Sequence, residues 1–265
     1  MKLAYVSDLT QKLNKLSRAF DGPLCSLTAD RLQTWLDGKK LAPATFESYC
    51  RVLGTFGGFC ERKRWLPHGW DEVDRIEKPK RKPSAIEIYS PDELARLFAV
   101  ADADFIPILA IAAFAGIRSA EIQRLTWSDI DMQSGFITVG AAQAKTASRR
   151  IVPIAENLKA WQAPYVRESG RVWPRSTGDL HWQQTRTAKR AGIAWKKNAC
   201  RHSFVSYRLA QVQDAAKVSL EAGNSPRMVF RHYRELVRPA DAAKWFSITR
   251  QSPANVAPLR AAAVA

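Results

Sequence analysis

The first 76 residues carry the hydrophobic pattern of short amphipathic helices. Thr28 is a predicted N-cap for the second helix, and Pro43 opens a third that carries aromatic residues on one side. In the first helix the apolar side chains recur at helical spacing, at Leu9, Leu13, Leu16 and Phe20. We therefore expect a small helical domain over residues 1–76.

The segment E-K-P-K-R-K-P-S at residues 77–84 interrupts this pattern. Its two prolines and four cations exclude a helix or a core strand, so we predict a basic linker over residues 77–85. Another cationic cluster ends the third predicted helix. Both stretches are either solvated surface or sites of contact with phosphate groups of a nucleic acid. The candidate phosphate contacts are Arg62, Lys63, Arg64, Lys78, Lys80, Arg81 and Lys82.

The pattern after the linker predicts a larger, mostly helical domain over residues 86–250. Ser90 is a natural N-cap, with a proline in the first turn and Glu93 close behind it. The run D-F-I-P-I-L-A-I-A-A-F-A-G is apolar on all sides, so this helix must be buried, and it stops at Gly116. Arg118 follows at the seam with the next predicted helix, where it is well placed to hold an anion.

Residues 136–154 predict a β-hairpin, because β-branched runs lie on both sides of a polar middle. Lys145 lies near the predicted tip, and Arg149 and Arg150 follow as further candidate contacts to an anionic partner. The rest of the domain predicts helices. Residues 251–265 are expected to form a flexible tail.

The net charge of the chain indicates which kind of partner it binds. The 265 residues include 41 lysines and arginines against 25 aspartates and glutamates, a formal net charge of +16. A polyanion is therefore expected, either nucleic acid or an acidic membrane surface, although a merely basic protein is the simpler alternative. No stretch reaches the roughly 20 apolar residues of a membrane span, and the first residues lack a signal-peptide core, so we expect a cytoplasmic protein.

The cysteines and histidines are scattered along the chain. Four cysteines and four histidines show no spacing typical of a zinc site or a disulfide framework. We interpret the cysteines as reduced thiols. We expect neither a metal site nor a cofactor.

Candidate chemistry is concentrated in the C-terminal third. Arg201 and His202 are adjacent, Asn224 follows a glycine, and Tyr233 comes nine residues later. Tyrosine is a poor nucleophile in water, since its unperturbed pKa is about 10. Beside cations that stabilise its anion it can attack phosphorus and form a covalent ester.

Together, several motifs resemble the tyrosine recombinases of the phage-integrase family. A-G-I-R-x-x-E-I-x-x-L-x-W-x-D-I-D, A-K-T-A-S-R-R-I-V-P-I, R-H-S-F, G-N and H-Y occur in the family's order over residues 5–247. The resemblance implies that Tyr233 is the nucleophile and that Arg118 and Arg201 grip phosphate oxygens. It also implies that Lys145 is a general acid and that Glu121 supports the site. A core tyrosine and a solvated lysine are the structural alternatives for Tyr233 and Lys145.

Two positions depart from the family pattern. Asn198 stands where the family usually has a histidine, and Asn224 stands where it has histidine or tryptophan. Asparagine cannot titrate, so Asn198 cannot act as a general base, whereas Asn224 can still donate to a phosphate oxygen. His202 is expected to support Arg201 or the fold, and a catalytic role is the alternative. We expect the catalytic chemistry at this site to be reduced or differently tuned, but not necessarily lost.

The resemblance also implies an architecture and partners. The expected fold is a mostly α two-domain DNA clamp, with a helical core-binding domain and an α-helical catalytic domain that carries a small β-hairpin. The expected partners are double-stranded DNA and three further copies, forming a homotetramer on two duplexes in the nucleoid, with an accessory DNA-bending protein left open. The C-terminal segment is hypothesised to dock on a neighbouring copy through Leu236, Trp245, Phe246 and Ile248.

Three functions compete on this basis. The first is a site-specific recombinase or integrase that cuts and rejoins DNA through a 3′-phosphotyrosyl intermediate. The second is a catalytically impaired DNA-binding regulator on the same fold, which the two asparagines motivate. A third is a nicking and resealing enzyme of the topoisomerase type. The DNA site and the direction of the reaction are not encoded in any motif of one chain.

Overall fold

The structure is a computed structural model that describes residues 3–80, 86–140, 149–233 and 237–250. The chain divides into two compact units, Met1–Ser84 and Ala85–Ala265, and the division falls inside the predicted linker. The described residues are mostly helical, with one three-stranded sheet, which confirms the predicted fold class. Among the described helices, none combines the length and the apolar character needed to cross a bilayer.

Some sequence predictions fall outside the described residues. These are the predictions for Arg81, Lys82, Lys145, Leu236 and the tail at 251–265.

The first unit is built from three helices, α1 (Leu3–Ser17), α2 (Ala29–Gly38) and α3 (Pro43–Arg62). Their bounds follow the predicted N-cap at Thr28 and the proline at the start of α3, although the Thr28 side chain makes no capping bond. The buried core of this unit comprises Leu16, Leu27, Leu32, Leu36, Phe46, Tyr49, Cys50, Leu53, Val73 and Ile76.

The second unit contains nine helices and the sheet in its described residues. In chain order the helices are α4 (Pro91–Val100), α5 (Ile106–Phe114), α6 (Ser119–Ile122), α7 (Glu156–Gln162), α8 (Thr177–Arg190), α9 (Ala199–Val212), α10 (Ala215–Ala222), α11 (Pro226–Tyr233) and α12 (Pro239–Ser247). The strands are β1 (Ile130–Asp131), β2 (Phe136–Val139) and β3 (Arg150–Pro153), antiparallel in the order β1-β2-β3.

The helix starts follow the local chemistry of the sequence. Ser90 Oγ accepts from the Glu93 backbone N–H at 3.1 Å, and the Glu93 carboxylate accepts from the Ser90 backbone N–H at 2.8 Å, so α4 begins with a complete capping box. The apolar helix α5 is buried as predicted and packs against α7 and α9. In the sheet, Ile137 of β2 pairs with Val152 of β3, and both side chains are fully buried.

Helix α9 lies at the centre of the second unit and carries two of the site residues. It packs against α5, α10, α11 and α12. Trp245 of α12 stacks on Tyr207 of α9 and donates to the Ala113 carbonyl of α5 at 3.1 Å. Trp245 is 0% exposed, so the hypothesis that it docks on a neighbouring copy is wrong: the residue belongs to its own chain's core.

Candidate active site

The turn between α5 and α6 positions Arg118, the first arginine of the site. Gly116 has a φ of +60°, and a Cβ placed there would lie 2.2 Å from Cδ1 of Phe204 on α9. Only glycine satisfies both the left-handed conformation and this close approach. Arg118 follows at the start of α6, where its Nη1 donates to Glu121 Oε1 at 3.0 Å.

Glu121 is the buried anion of the site. Its side chain is 0% exposed and accepts from two guanidinium groups, Arg118 at 3.0 Å and Arg150 at 2.6 Å. Burial alone would raise the pKa of this carboxyl, but the hydrogen bond and charge of Arg150 and the charge of Arg118 lower it to about 2. Glu121 is therefore ionised across the physiological range and fixes both arginines.

Arg150 enters this cluster from strand β3. Besides its ion pair with Glu121, its Nε donates to the Glu221 carbonyl of α10 at 3.2 Å, and 9% of its side chain is exposed. The predicted DNA contact by Arg150 is therefore corrected, because its donors are used inside the protein. A signal for this was present in the sequence: Arg150 and the buried Val152 are two residues apart and lie on one face of the strand.

Arg201 on α9 is the second arginine of the site. Its Nη1 donates to the Gly116 carbonyl at 2.5 Å and its Nη2 donates to Asn224 Oδ1 at 2.7 Å. Burial, together with the positive charges of Arg118 and Arg150, lowers the pKa of Arg201 to about 9. The guanidinium remains charged at neutral pH, yet it lacks an ionic partner of its own among these contacts.

Asn224 connects the two arginines. Its Oδ1 accepts from Arg201 and also from Arg118 Nη2 at 3.2 Å, while the Gly223 carbonyl accepts from the same Arg118 nitrogen at 2.6 Å. Arginine can only donate, so the amide oxygen must face the two guanidinium groups. The amide nitrogen of Asn224 is thereby turned away from them and can donate to a further group.

The charges of this cluster favour an anion. The guanidinium groups of Arg118 and Arg150 pair with the carboxylate of Glu121, and Arg201 adds a third positive charge close by. Arg118 and Arg201 line a cleft of 770 Å³ between α5, α6, α8 and α9, and 26% of the Arg118 side chain is exposed there. Planar, permanently charged guanidinium groups bind phosphate oxygens well, so the cluster suits a phosphodiester.

Tyr233 lies at the end of α11, beside this cluster. It is 6% exposed and belongs to the apolar cluster formed by α9, α10 and α11. Its hydroxyl oxygen lies 2.6 Å from Nδ1 of His202, and the two rings are stacked with centroids 5.8 Å apart. Burial raises the pKa of Tyr233, and the charge of Arg201 partly offsets that rise.

Asn198 occupies the rim of the same cleft. It is the exposed N-cap of α9, has a left-handed φ of 59° and makes no side-chain capping bond. Asparagine tolerates this conformation better than most residues. The structure thus brings Asn198 near the arginines without giving it a hydrogen-bond role in the cluster.

The remaining candidate DNA contacts lie at the surface. Arg62 and the two cations after it are exposed at the end of α3, Lys78 and Lys80 are exposed in the linker, and Arg149 is exposed next to β3. Sequence reasoning placed Arg118, Glu121, Arg201 and Asn224 in one site, and the structure brings them together. It missed the contact of Arg201 with the Gly116 carbonyl and the ion pair of Arg150 with Glu121, and it did not anticipate the contact of His202 with Tyr233.

The chain was compared with known proteins. The model of the phage integrase family matches residues 89–236. Tyrosine recombinase XerA of Thermococcus kodakarensis is 26% identical over 58% of this chain and 60% of its own length. Tyrosine recombinase XerC of Xanthomonas campestris is 27% identical over 63% of this chain and 58% of its own length. The chain thus spans about three fifths of the length of these curated relatives.

Solved structures show the same fold. A lambda integrase dimer bound to a COC′ core site matches with a TM-score of 0.73 and 18% identity, covering 89% of each chain. A lambda integrase tetramer bound to a Holliday junction matches with a TM-score of 0.71 and 15% identity, covering 86% of this chain and 72% of that one. Because the family model matches more than half of the sequence, this chain belongs to the phage integrase family of tyrosine recombinases.

Proposed function

We propose that the chain is a site-specific DNA recombinase that cuts and rejoins strands through a 3′-phosphotyrosyl intermediate. One observation carries the proposal: Arg118, Arg201 and Asn224 form a single hydrogen-bonded cluster, and Tyr233 lies beside it. In a member of this family, an anion site next to a tyrosine hydroxyl supports attack on a phosphodiester.

The phosphate is bound first. Arg118 and Arg201 each direct guanidinium donors toward the cleft, where they take the two non-bridging oxygens. The Asn224 amide nitrogen supplies a third donor. These groups stabilise the additional negative charge that develops on the oxygens as the attacking and leaving groups pass in line through phosphorus.

Tyr233 is the proposed nucleophile. Its Oη forms a bond to phosphorus while the bond from phosphorus to the 5′ oxygen breaks, leaving a 3′-phosphotyrosyl ester and a free 5′-hydroxyl. Lys145 is the proposed general acid that protonates the departing 5′ oxygen. The ester retains the energy of the phosphodiester, so a 5′-hydroxyl from another strand can reverse the step without nucleotide hydrolysis.

The assembly is also proposed. Residues 1–76 are the core-binding domain and residues 86–250 the catalytic domain, with phosphate contacts from the exposed cations at the end of α3, in the linker and at Arg149. Strand exchange needs two duplexes and therefore several copies of the chain. We propose a homotetramer, consistent with the lambda integrase tetramer on a Holliday junction to which this fold is similar.

Two alternatives motivated by the sequence are less well supported. The regulator hypothesis rests on Asn198 and Asn224, but Asn224 holds both arginines and so contributes to an assembled site. Family membership does not favour a non-catalytic protein. A nicking and resealing enzyme would differ in its product, because it would relax plasmid DNA without site preference. The sequence of the DNA captured on the protein distinguishes this hypothesis from a recombinase.

The test is capture of DNA on the protein in cells. Wild-type chain and Tyr233→Phe are each purified under denaturing conditions, and the DNA that remains attached is sequenced. We expect attached DNA with a common sequence for the wild type and none for the variant, while both bind that sequence without denaturant. Attachment that persists in Tyr233→Phe would refute the nucleophile, and attachment without sequence preference would favour the nicking enzyme.

A further inference from the structure

The attack by Tyr233 requires an acceptor for its phenolic proton. A neutral hydroxyl is a weak nucleophile, and burial raises the pKa of Tyr233, so spontaneous ionisation at neutral pH is rare. The asparagines at 198 and 224 have no titratable group. The guanidinium groups of the site are protonated at neutral pH and cannot take the proton either.

His202 is in contact with the hydroxyl. Its Nδ1 lies 2.6 Å from Tyr233 Oη, within the range expected for a general base and its substrate proton. The contact joins residues 31 positions apart, so it is set by the packing of α9 against α11. His202 also lines the cleft that holds Arg118 and Arg201, so the imidazole lies between the apolar cluster around the tyrosine and the phosphate site.

The surroundings keep this imidazole neutral. Burial and the adjacent charge of Arg201 lower the pKa of His202. The other titratable or charged side chains that share the cleft are Arg118, His181, Lys197 and Cys200. None of them is an anion, because burial raises the pKa of the Cys200 thiol to about 12. A neutral ring with its proton on Nε2 presents a free lone pair at Nδ1 to the tyrosine.

We propose that His202 is the general base of this chain, taking the proton of Tyr233 at Nδ1 as the phenolic oxygen attacks phosphorus. The inference rests on the proposed recombinase function and assigns a specific catalytic role to a residue for which the sequence favours a supporting one.

The step is balanced in protons and electrons. The Oη–H bond breaks and its proton moves to Nδ1, while an oxygen lone pair forms the Oη–P bond. The bond from phosphorus to the 5′ oxygen breaks, and the 5′ oxygen leaves with the electron pair and takes a proton from the general acid. In rejoining, the imidazolium returns its proton to Oη as the phosphotyrosyl bond breaks.

Substrate binding strengthens this base. Without DNA, burial and the positive charge of Arg201 oppose protonation of the imidazole. A phosphodiester bound between the two arginines brings a negative charge into the cleft and offsets part of that repulsion. His202 is therefore a better proton acceptor with the scissile phosphate in place.

The test measures single-turnover formation of the covalent complex against pH. The probe is a nicked duplex that carries the sequence captured by the wild-type protein. We compare the wild type with His202→Ala and His202→Gln, because glutamine can keep a hydrogen bond to the tyrosine but cannot accept the proton. His68→Ala, whose imidazole is fully exposed in the first unit, is the matched control.

Both His202 variants should bind the duplex but form the covalent complex about 10²-fold or more slowly. Their rates should keep rising with pH above neutrality, as long as Arg201 stays charged, over the range where the wild-type rate has levelled off. Imidazole in the buffer should restore part of the rate of His202→Ala but none when Tyr233→Phe is added.

Three results would overturn the assignment. Variants with wild-type rates would exclude His202 from the chemistry. Slower variants with an unchanged pH profile and no imidazole rescue would reduce it to a positioning residue. A wild-type chain that forms no covalent complex would refute the recombinase function itself, and the inference with it.

Discussion

The side-chain oxygen of Asn224 lies 2.7 Å from Nη2 of Arg201. The same oxygen accepts from Arg118 at 3.2 Å, so one amide fixes two arginines that are far apart in the sequence. Because the amide of Asn224 is neutral, it does not cancel the positive charges of Arg118 and Arg201. Those charges therefore remain available to bind the phosphate.

Changing Asn224→Asp should raise the stability of the fold and lower its catalytic activity. The carboxylate has almost the same shape but places a negative charge against Arg118 and Arg201, so the melting temperature at pH 7 should rise. The same charge repels a phosphodiester, so covalent complex formation should fall by about 10²-fold. Thermal melts and single-turnover assays measure the two effects. The exposed Asn14→Asp is the control, and a variant with full activity would show that the cluster does not bind the phosphate.

Changing Glu121→Gln should destabilise the fold and alter its response to acid. The pKa of Glu121 is about 2 in the folded chain against an ordinary 4.5. The stabilisation is therefore fully present above about pH 4.5 and is lost as pH falls toward 2, roughly 3 kcal/mol in all.

Urea unfolding between pH 7 and pH 2 measures this loss. Wild type should lose more stability than Glu121→Gln over the acidic part of that range. The exposed Glu168→Gln should follow the wild-type curve. Parallel curves for wild type and Glu121→Gln would contradict the ion-pair assignment.

Changing Gly116→Ala should damage both the fold and the site. The new methyl group would meet the Phe204 ring in a backbone conformation that disfavours alanine, a cost of about 2 kcal/mol or more. The shift of the Gly116 carbonyl would also misplace Arg201. Gly54→Ala is the matched control, because that site is open within α3 and alanine there should stabilise the helix by about 0.5–1 kcal/mol. Equal melting temperatures for the two variants would contradict the close packing at Gly116.

Arg149 and Arg150 are neighbours with different predicted roles. Arg149 is exposed and is proposed to contact DNA, whereas Arg150 is held by Glu121. Arg149→Ala should therefore reduce the slope of log binding constant against log salt by about 1. Arg150→Gln should leave that slope unchanged but lower the melting temperature and the rate of cleavage. A slope reduced as much as in Arg149→Ala would show that Arg150 contacts DNA directly.

Local chemistry made part of this fold predictable. The Ser90 capping box and the end of α5 at Gly116 follow from residues within a few positions of each other. The hairpin strands β2 and β3 were also predicted. The two-residue strand β1 was not, because Ile130–Asp131 is too short for a period and gains its conformation from pairing with β2.

Contacts that depend on tertiary packing are harder to predict from the sequence. The Arg150 ion pair spans 29 residues and the His202 contact with Tyr233 spans 31, so the local pattern identifies neither partner, although strand alternation places Arg150 on the buried face. The motif resemblance identified Arg118, Arg201 and Tyr233 but carries no information on residues that depart from the family pattern. At those positions the geometry supplies the assignment, as it does for Asn224.

The most direct test of the account is the chemical identity of the link to DNA. Covalent complex formed on the captured sequence is digested with nuclease and protease, and the products are analysed by mass spectrometry. We predict a nucleotide attached through its 3′ phosphate to the peptide that contains Tyr233, together with a free 5′-hydroxyl on the released strand. A nucleotide on any other residue, or a 5′-phosphate link, would contradict the proposed mechanism.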